Sequence, residues 1–483
     1  MSAVAPATHR MSRVDTAWLR MDNDVNLMMI VGVWLLSPAI TLQALRQRAS
    51  ERLLQYPRFR QKVVHDATGA SWVEDAALDI TEQVVEEALP HDDAVSERAA
   101  LQQRCADLAM QPLSPARPLW QLHLITSYEG GSAVIMRVHH SVGDGIALMS
   151  VMNSITDGGL APPLQPRDVH DELDEEADWL AQAVFKPLTD LTVKAIKLSG
   201  EGVAKSIDWL AHPQQHAEES ADMARHGLQM LGDAAALALM PDDSPSRLKG
   251  QPAGRKRVAW NEPIPLDLVR TVGKGLGCSI NDVLLATVSG AIGSWLREQG
   301  DDTTGMQMRA MVPVNLRPLD EAWKLGNRFG LAPLVLPVGI VNPIERVFDV
   351  HARMAALKGS YQPLLAFGVL ALSGSLIKPM QDLMLGLFAK KTTAVMTNVP
   401  GPREPLKFCG SSLRQTMFWV PASGHVGVGV SILSYGGGVQ FGLITDDALC
   451  PEPQAIIDRF ELEFEKLLWL TLMLPWGLDE ASA

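Results

Sequence analysis

The stretch Ser132 to Ser150, SAVIMRVHHSVGDGIALMS, restricts what this chain can fold into more than any other. It opens as an apolar run with β-branched Val134, Ile135 and Val138, the composition of a buried strand. It closes on Ile146, Ala147, Leu148, Val151 and Met152, spaced for a buried helix. Between the two lie His139 and His140, then Asp144 and Gly145. A strand that ends in titratable residues before a tight turn suits a general base, because the strand fixes the backbone and the loop opens the ring to a substrate. Neighbours on a strand point to opposite faces, so one histidine faces a given cavity and the other supports it. The same alternation counts against a shared metal ion on His139, His140 and Asp144. Each residue also has a plainer explanation. A strand-end histidine can be a hydrogen-bonded core residue, Asp144 can cap the helix after it, and Gly145 can supply backbone freedom.

At 483 residues the chain can hold about two to three domains of ordinary size. An apolar fraction of 47% excludes global disorder, and a net charge of −13 argues against nucleic acid, which calls for a basic face. A local basic patch remains compatible with membrane contact. The opening MSAVAPATHRMSRVD has no apolar core of a signal peptide. Cys105, Cys278, Cys409 and Cys450 are far apart with no CxxC pair, which reads as reduced thiols and neither a disulfide framework nor a zinc site. Gly359 to Ile377 is uncharged between Lys358 and Lys378, but Tyr361, Gln362 and Pro363 favour a buried or interfacial helix over a membrane span.

Along the chain, Met11 to Asp24 reads as a polar turn and Leu27 to Leu36 as a core strand. Thr41 is placed to cap a helix running to Gln55, and SPARPLWQLH (Ser114 to His123) to start and pack a strand. After Gly158 come a proline-rich stretch and the acidic run Asp171 to Asp178, marking an inter-domain crossing over about 160–250. Within it Lys186 to Leu198 is amphipathic, either an interfacial helix at an anionic membrane or a cover for the domain crevice. The second half restarts near Arg255. Asn281 and Asp282 precede an apolar helix, where capping is the ordinary role. RAMVPVNLRP followed by GNRFG (Arg309 to Gly330) reads as strand then loop. AVMTNVPGP is a strand breaking at a Pro-Gly turn, with Thr397 and Asn398 facing a channel or bonded within the turn. Gly424 to Asp446 alternates across a turn at Gly436 to Gly438 as a β-hairpin, and its glycines do not make a dinucleotide site. A closing helix from Pro453 to Leu474 is expected to bury Trp469, Leu470 and Leu474.

The spacing His139-His140-x-x-x-Asp144-Gly145 resembles the HHxxxDG signature of the coenzyme A-dependent acyltransferase superfamily. With PLW at Pro118 to Trp120, the pair Asn281–Asp282 and TNVPGP at Thr397 to Pro402, the chain from Met11 to about Trp476 is similar to the bacterial wax ester synthase/diacylglycerol acyltransferases. That resemblance implies an α/β fold of two chloramphenicol acetyltransferase-like halves, with mixed sheets flanked by helices and a helical crossover linker. The halves would be 1–160 and 251–483, joined by 161–250, with a tunnel between them reaching His140 from both sides. It also implies transfer of a long-chain acyl group from acyl-CoA to a fatty alcohol or diacylglycerol. His140, with His139 beside it, would be the catalytic base. Asp144 and Gly145 would be structural, with Arg60 (by position, over its neighbour Arg58) as the partner of Asp144. Asn281 would stabilise an oxyanion or orient the acceptor, and Thr397 and Asn398 would contact substrate; separately, on its apolar content alone, 359–377 is a candidate wall for the acyl chain. No metal, cofactor or covalent acyl-enzyme is called for, acyl-CoA being a substrate, and no GxSxG nucleophile elbow occurs. The expected setting is cytoplasmic, with peripheral contact to the inner membrane or lipid droplets. Two other readings keep the fold: a condensation-type enzyme with a carrier-protein-bound donor, and a non-catalytic lipid-binding protein.

Overall fold

The computed structural model describes residues 8–66, 69–92, 94–160, 229–230, 232–318, 321, 323–376, 378–424 and 426–474. The expected helix over Lys186 to Leu198 lies outside them. The N-terminal half runs β1 (Thr8–Arg10), α1 (Arg13–Arg20), β2 (Met29–Ser37), α2 (Leu42–Glu51), β3 (Gln61–Asp66), β4 (Gly69–Glu74), α3 (Ile80–Gln83), β5 (Val84–Glu87), α4 (Glu97–Ala109), β6 (Trp120–Tyr128), β7 (Gly131–His139) and α5 (Gly145–Ser154). The C-terminal half opens with β8 (Lys256–Trp260), β9 (Ile264–Pro265), α6 (Leu266–Leu276), α7 (Ile280–Glu298), β10 (Met308–Asn315) and β11 (Phe329–Leu336). It continues through α8 (Pro343–Lys358), α9 (Gln362–Ser375), α10 (Lys378–Lys390), β12 (Ala394–Pro400), β13 (Lys407–Phe408), β14 (Ser411–Trp419), β15 (Val428–Tyr435), β16 (Gly438–Asp446) and α11 (Gln454–Leu472).

Two large mixed sheets carry the fold. One is ordered β13-β14-β2-β7-β6-β5, the other β11-β10-β12-β15-β16-β8 with β9 beside β16, and β1-β4-β3 form a small third sheet. In the first, β5 and β6 are parallel, and β2 lies antiparallel between β14 and β7. Because β2 is covered on both faces, its sequence MIVGVWLL is apolar without alternation. Its partner β14 comes from the other half of the chain. On the seam between the sheets, Met417 and Trp419 pack with Val31 and Val33 of one sheet and Val258 and Ile444 of the other. Across the far face of the second sheet, α7 is buried along almost its whole length, and Phe441 stacks on Phe460 of α11 at 4.6 Å.

The hairpin, the Thr41 cap and the strand at Trp120 stand where the sequence places them. The hairpin turns on Gly436 and Gly437, whose φ of +56° and +84° are the reason glycine occupies both. Two expectations do not hold. Met11 to Asp24 is not a polar turn: Ser12 caps α1, which buries Val14, Ala17 and Trp18 and hides its apolar stripe behind Asp15 and the flanking arginines. The end of α11 is not buried either, with Trp469 60% exposed, Leu470 39% and Leu474 37%. That helix buries Phe460, Phe464, Leu467 and Thr471, and its last turn runs past the core they face. The uncharged stretch after Lys358 becomes the 14-residue α9, which crosses α1 so closely that a Cβ on Gly374 would lie 1.8 Å from the Arg13 carbonyl oxygen. Among the described residues, no single helix is long and apolar enough to cross a membrane.

Candidate active site

β7 delivers His139, and the loop His140 to Gly143 leads into α5, whose N-cap is Asp144. The two histidines diverge as strand geometry requires. The Nδ1 of His139 accepts from the Ser141 backbone N–H at 3.1 Å, and its Nε2 faces Asp22 at 3.4 Å. His139 therefore braces the loop and does not line the cavity, which corrects its expected place in a catalytic pair. His140 lines a cavity of about 180 Å³ between the two halves. Its backbone N–H donates to the Met28 carbonyl at 2.7 Å, and its ring stacks on Trp18 at 4.0 Å and 9°.

The tautomer of His140 follows from its neighbour. Asn327 lies just before β11, and its Nδ2 donates to Asp15 Oδ1 at 2.7 Å and to the His140 carbonyl at 2.8 Å. Both partners are obligate acceptors, so the amide oxygen must be the atom 2.9 Å from His140 Nδ1. Nδ1 therefore carries the proton, and Nε2 is the basic nitrogen left to the cavity. Asp15 is held in turn by Arg58 at 2.8 Å, and Arg58 donates to the carbonyls of Ser141 and Val142 at 3.1 and 2.9 Å. Burial pushes the His140 imidazole down to about 4, against smaller opposing effects that include the Asp144 charge. The ring is neutral at pH 7.

The motif aspartate is paired, but not with Arg60. Asp144 Oδ2 lies 3.1 Å from Arg317 Nη2 and accepts the Arg328 backbone N–H at 3.1 Å, while Oδ1 caps α5 through Ala147 N–H at 3.0 Å. Arg60, which closes the short helical turn Pro57–Phe59, instead reaches Glu74 at 2.8 Å in a half-exposed pair. The loop is sewn to the C-terminal half a second time: Gly143 and Gly326 form a bridge in which Gly326 N–H donates to Val142 O and Asp144 N–H to Gly326 O, each at 3.2 Å.

Gly145, Thr397 and Asn398 line the cavity, with Phe329 and Leu331 of β11 and Ala366, Val369 and Leu370 of α9. Thr397 Oγ1 is buried there with no hydrogen-bond partner among the described residues. Asn281 does not line it. Its Oδ1 accepts from Asn398 Nδ2 at 2.8 Å, so it acts on the cavity wall through Asn398. Nor does it cap α7: Ser279 does, in a capping box with Asp282. Asp282 also pairs with His351 at 2.8 Å, and with Cys278 these form, among the described residues, a group whose ligand-type atoms lie within 4.8 Å of one another. Cys278 is thus less isolated than its sequence spacing implies. Sequence reasoning missed Asp15, Trp18, Arg317 and Asn327, and set Arg58 aside in favour of Arg60. The glycines bracketing Asn327 in GNRFG were the available signal, since a chain that needs Gly326 at φ +109° is making a forced approach.

Residues 11–284 match the wax ester synthase/diacylglycerol acyltransferase catalytic domain, and residues 325–468 the WS/DGAT C-terminal domain. The chain is 25% identical over 451 residues to the Mycobacterium tuberculosis protein named probable diacylglycerol O-acyltransferase tgs1, covering 91% of each chain. It is 26% identical over 421 residues to a second such M. tuberculosis protein, Rv3740c, covering 85% of this chain and 87% of that one. In fold it is similar to the wax ester synthase/diacylglycerol acyltransferase of Marinobacter aquaeolei VT8, with a TM-score of 0.62, 20% identity and coverage of 96% and 100%. It is also similar to the first condensation domain of the calcium-dependent antibiotic synthetase, with a TM-score of 0.59, 16% identity and 99% of each chain.

Proposed function

The chain belongs to the wax ester synthase/diacylglycerol acyltransferase family, and we propose that His140 is the general base in its acyl transfer to an alcohol or diacylglycerol. The observation that carries this is the single free nitrogen of a neutral, Asn327-fixed imidazole in an apolar cavity. In the proposed reaction His140 Nε2 takes the proton of the acceptor hydroxyl as the oxygen attacks the carbonyl carbon of an acyl-CoA. The tetrahedral intermediate then collapses, the C–S bond breaks, and the proton passes from Nε2 to the departing CoA thiolate. Base catalysis of this kind contributes about 10²–10⁴-fold. The buried Thr397 hydroxyl is the donor proposed for the developing oxyanion, and Asn281 keeps Asn398 aligned with the acceptor.

Supply of the acceptor from a lipid surface is part of the same reading. Helices α9 and α10 line the cavity on one side, and on the other they expose Leu372, Met380, Leu383 and Leu387 beside Lys378 and Lys390. Flotation with anionic vesicles is expected at low salt and is expected to weaken in Leu383→Glu. Vesicles that leave the wild type behind would remove the lipid surface from the scheme.

The deciding assay is release of CoA thiol from palmitoyl-CoA, with and without hexadecanol or dipalmitoylglycerol, for the wild type and His140→Ala. Acceptor-dependent release that the variant loses is the expected result, and the preferred acceptor names the product. Full activity in the variant would place the base elsewhere. A folded wild type silent with both acceptors would shift the donor to a carrier-bound acyl group, as in the condensation domains of the same fold.

A further inference from the structure

Behind the motif helix lies a second cavity, of about 70 Å³, between α5 and the sheet β14-β2-β7. It shares Gly145, Phe418 and Val420 with the wall of the His140 cavity. Among the described residues that line it none is charged, and four are methionines: Met136, Met149, Met152 and Met417. Its floor is set by one sequence choice. Gly32 stands in the middle of β2, paired with Phe418 of β14 on one side and Met136 of β7 on the other. Glycine inside a central strand weakens it, and so calls for a reason.

The usual reasons are missing at Gly32. Its φ is not in the left-handed region, unlike that of the turn glycines. Nor does a neighbouring backbone press on it. A Cβ at Gly131 would lie 2.0 Å from the Leu36 carbonyl oxygen, and one at Gly330 would lie 1.8 Å from that of Pro363. At Gly32 the nearest atom is the terminal methyl of Met136, at 3.2 Å, and the nearest backbone atom is 3.5 Å away. A Cβ there would press only on the movable end of a methionine, the Met417 carbonyl oxygen being at ordinary contact distance. What the missing side chain leaves is a trough across three strands, roofed by Leu148, Met149 and Met152 of α5.

We propose that this trough holds the distal end of a saturated hydrocarbon tail of one substrate, and that Gly32 sets how long a tail is accepted. The inference rests on the acyl-transfer reading above for the tail's reactive end, which would sit at His140 while the chain passes Gly145 and Phe418. Unbranched methylenes suit a slot without hydrogen-bond partners, and thioether side chains adapt to tails of different length.

The test is a chain-length series on the purified full chain. Acyl-CoAs from eight to eighteen carbons are assayed with one alcohol, and alcohols of the same range with one acyl-CoA, for the wild type, Gly32→Ala and Gly32→Leu. The expected result is a shift toward shorter chains in one series, slight for Gly32→Ala. For Gly32→Leu it should reach about four-fold in relative kcat/KM per methylene excluded. A shift in the acyl-CoA series identifies the donor tail, and one in the alcohol series the acceptor tail. If Gly32→Leu does not fold, Met152→Phe fills the trough from the helix side and is read in the same way. Unchanged profiles in both series for a folded filling variant overturn the proposal. If the wild type transfers no acyl group at all, the acyl-transfer reading fails and calorimetric binding of palmitate judges the trough alone. Binding weakened in Gly32→Leu would keep the proposal, and equal binding would end it.

Discussion

His140, the proposed base, shows how little of a residue's chemistry is contained in its own letter. Its basic nitrogen is selected by Asn327, nearly 190 positions later, through a chain that ends at Asp15 and Arg58. Asn327→Ala removes the group that fixes the tautomer and leaves the His140 carbonyl without its amide donor. Activity is expected to fall by up to about 10²-fold with the fold intact, measured as kcat in the CoA-release assay. The low basicity of His140 has a pH signature. The folded chain holds this histidine neutral down to about 4, whereas the unfolded chain protonates it below about 6.5. The stabilisation is therefore complete above about 6.5, is lost as pH falls through that window, and levels off below about 4. Buried His123, also lowered to about 4 by burial, adds a change of the same sign. Denaturant midpoints compared at pH 7 and pH 5 should fall less in His140→Ala than in the wild type. The acid limb of the rate profile should lie near 4.

At the scale of elements, what the sequence disclosed and what it withheld divide by range. Strand β7, its terminal histidines and helix α5 were legible because 132–150 encodes them locally, by alternation, apolar spacing and a capping aspartate. The hairpin was legible for the same reason. The partner of Asp144 was not, because ion pairing across the seam leaves no periodic trace in either segment. Position favoured Arg60, whereas space gives Arg317. The two arginines separate in a simple comparison. Arg317→Ala strands a buried carboxylate at the cap of α5 and should cost about 3–5 kcal/mol. Arg60→Ala removes a half-exposed pair worth about 1 kcal/mol or less. Thermal or denaturant unfolding of both variants reads the difference, and equal losses would remove Asp144–Arg317 from its anchoring role. The loop before β11 carries a further prediction. Gly326→Ala sets a side chain at φ +109°, with its Cβ 3.2 Å from the Arg58 guanidinium. It should destabilise by about 1–3 kcal/mol and lower kcat as well, because Asn327 is the next residue. Helix α1 was misread because Asp15, polar for the sake of the site, and the flanking Arg13 and Arg20 blur the apolar stripe that would have marked it.

On the scale of the whole molecule, the division into halves by sequence is not a division by packing. Strand β14 belongs to the C-terminal half and forms the edge-side neighbour of β2, the most apolar strand of the N-terminal sheet. Residues 1–160 produced alone should be insoluble or molten, and should become soluble when 251–483 is co-expressed; solubility and near-ultraviolet circular dichroism decide this. The exchange also has a consequence in time. A ribosome finishes β2 about 370 residues before it begins β14, roughly 20–75 s at ordinary rates of synthesis. For that interval the nascent chain carries an open, wholly apolar strand edge. The yield of active enzyme should therefore depend on the chaperones that meet the growing chain, and hardly at all on the stability of the finished protein.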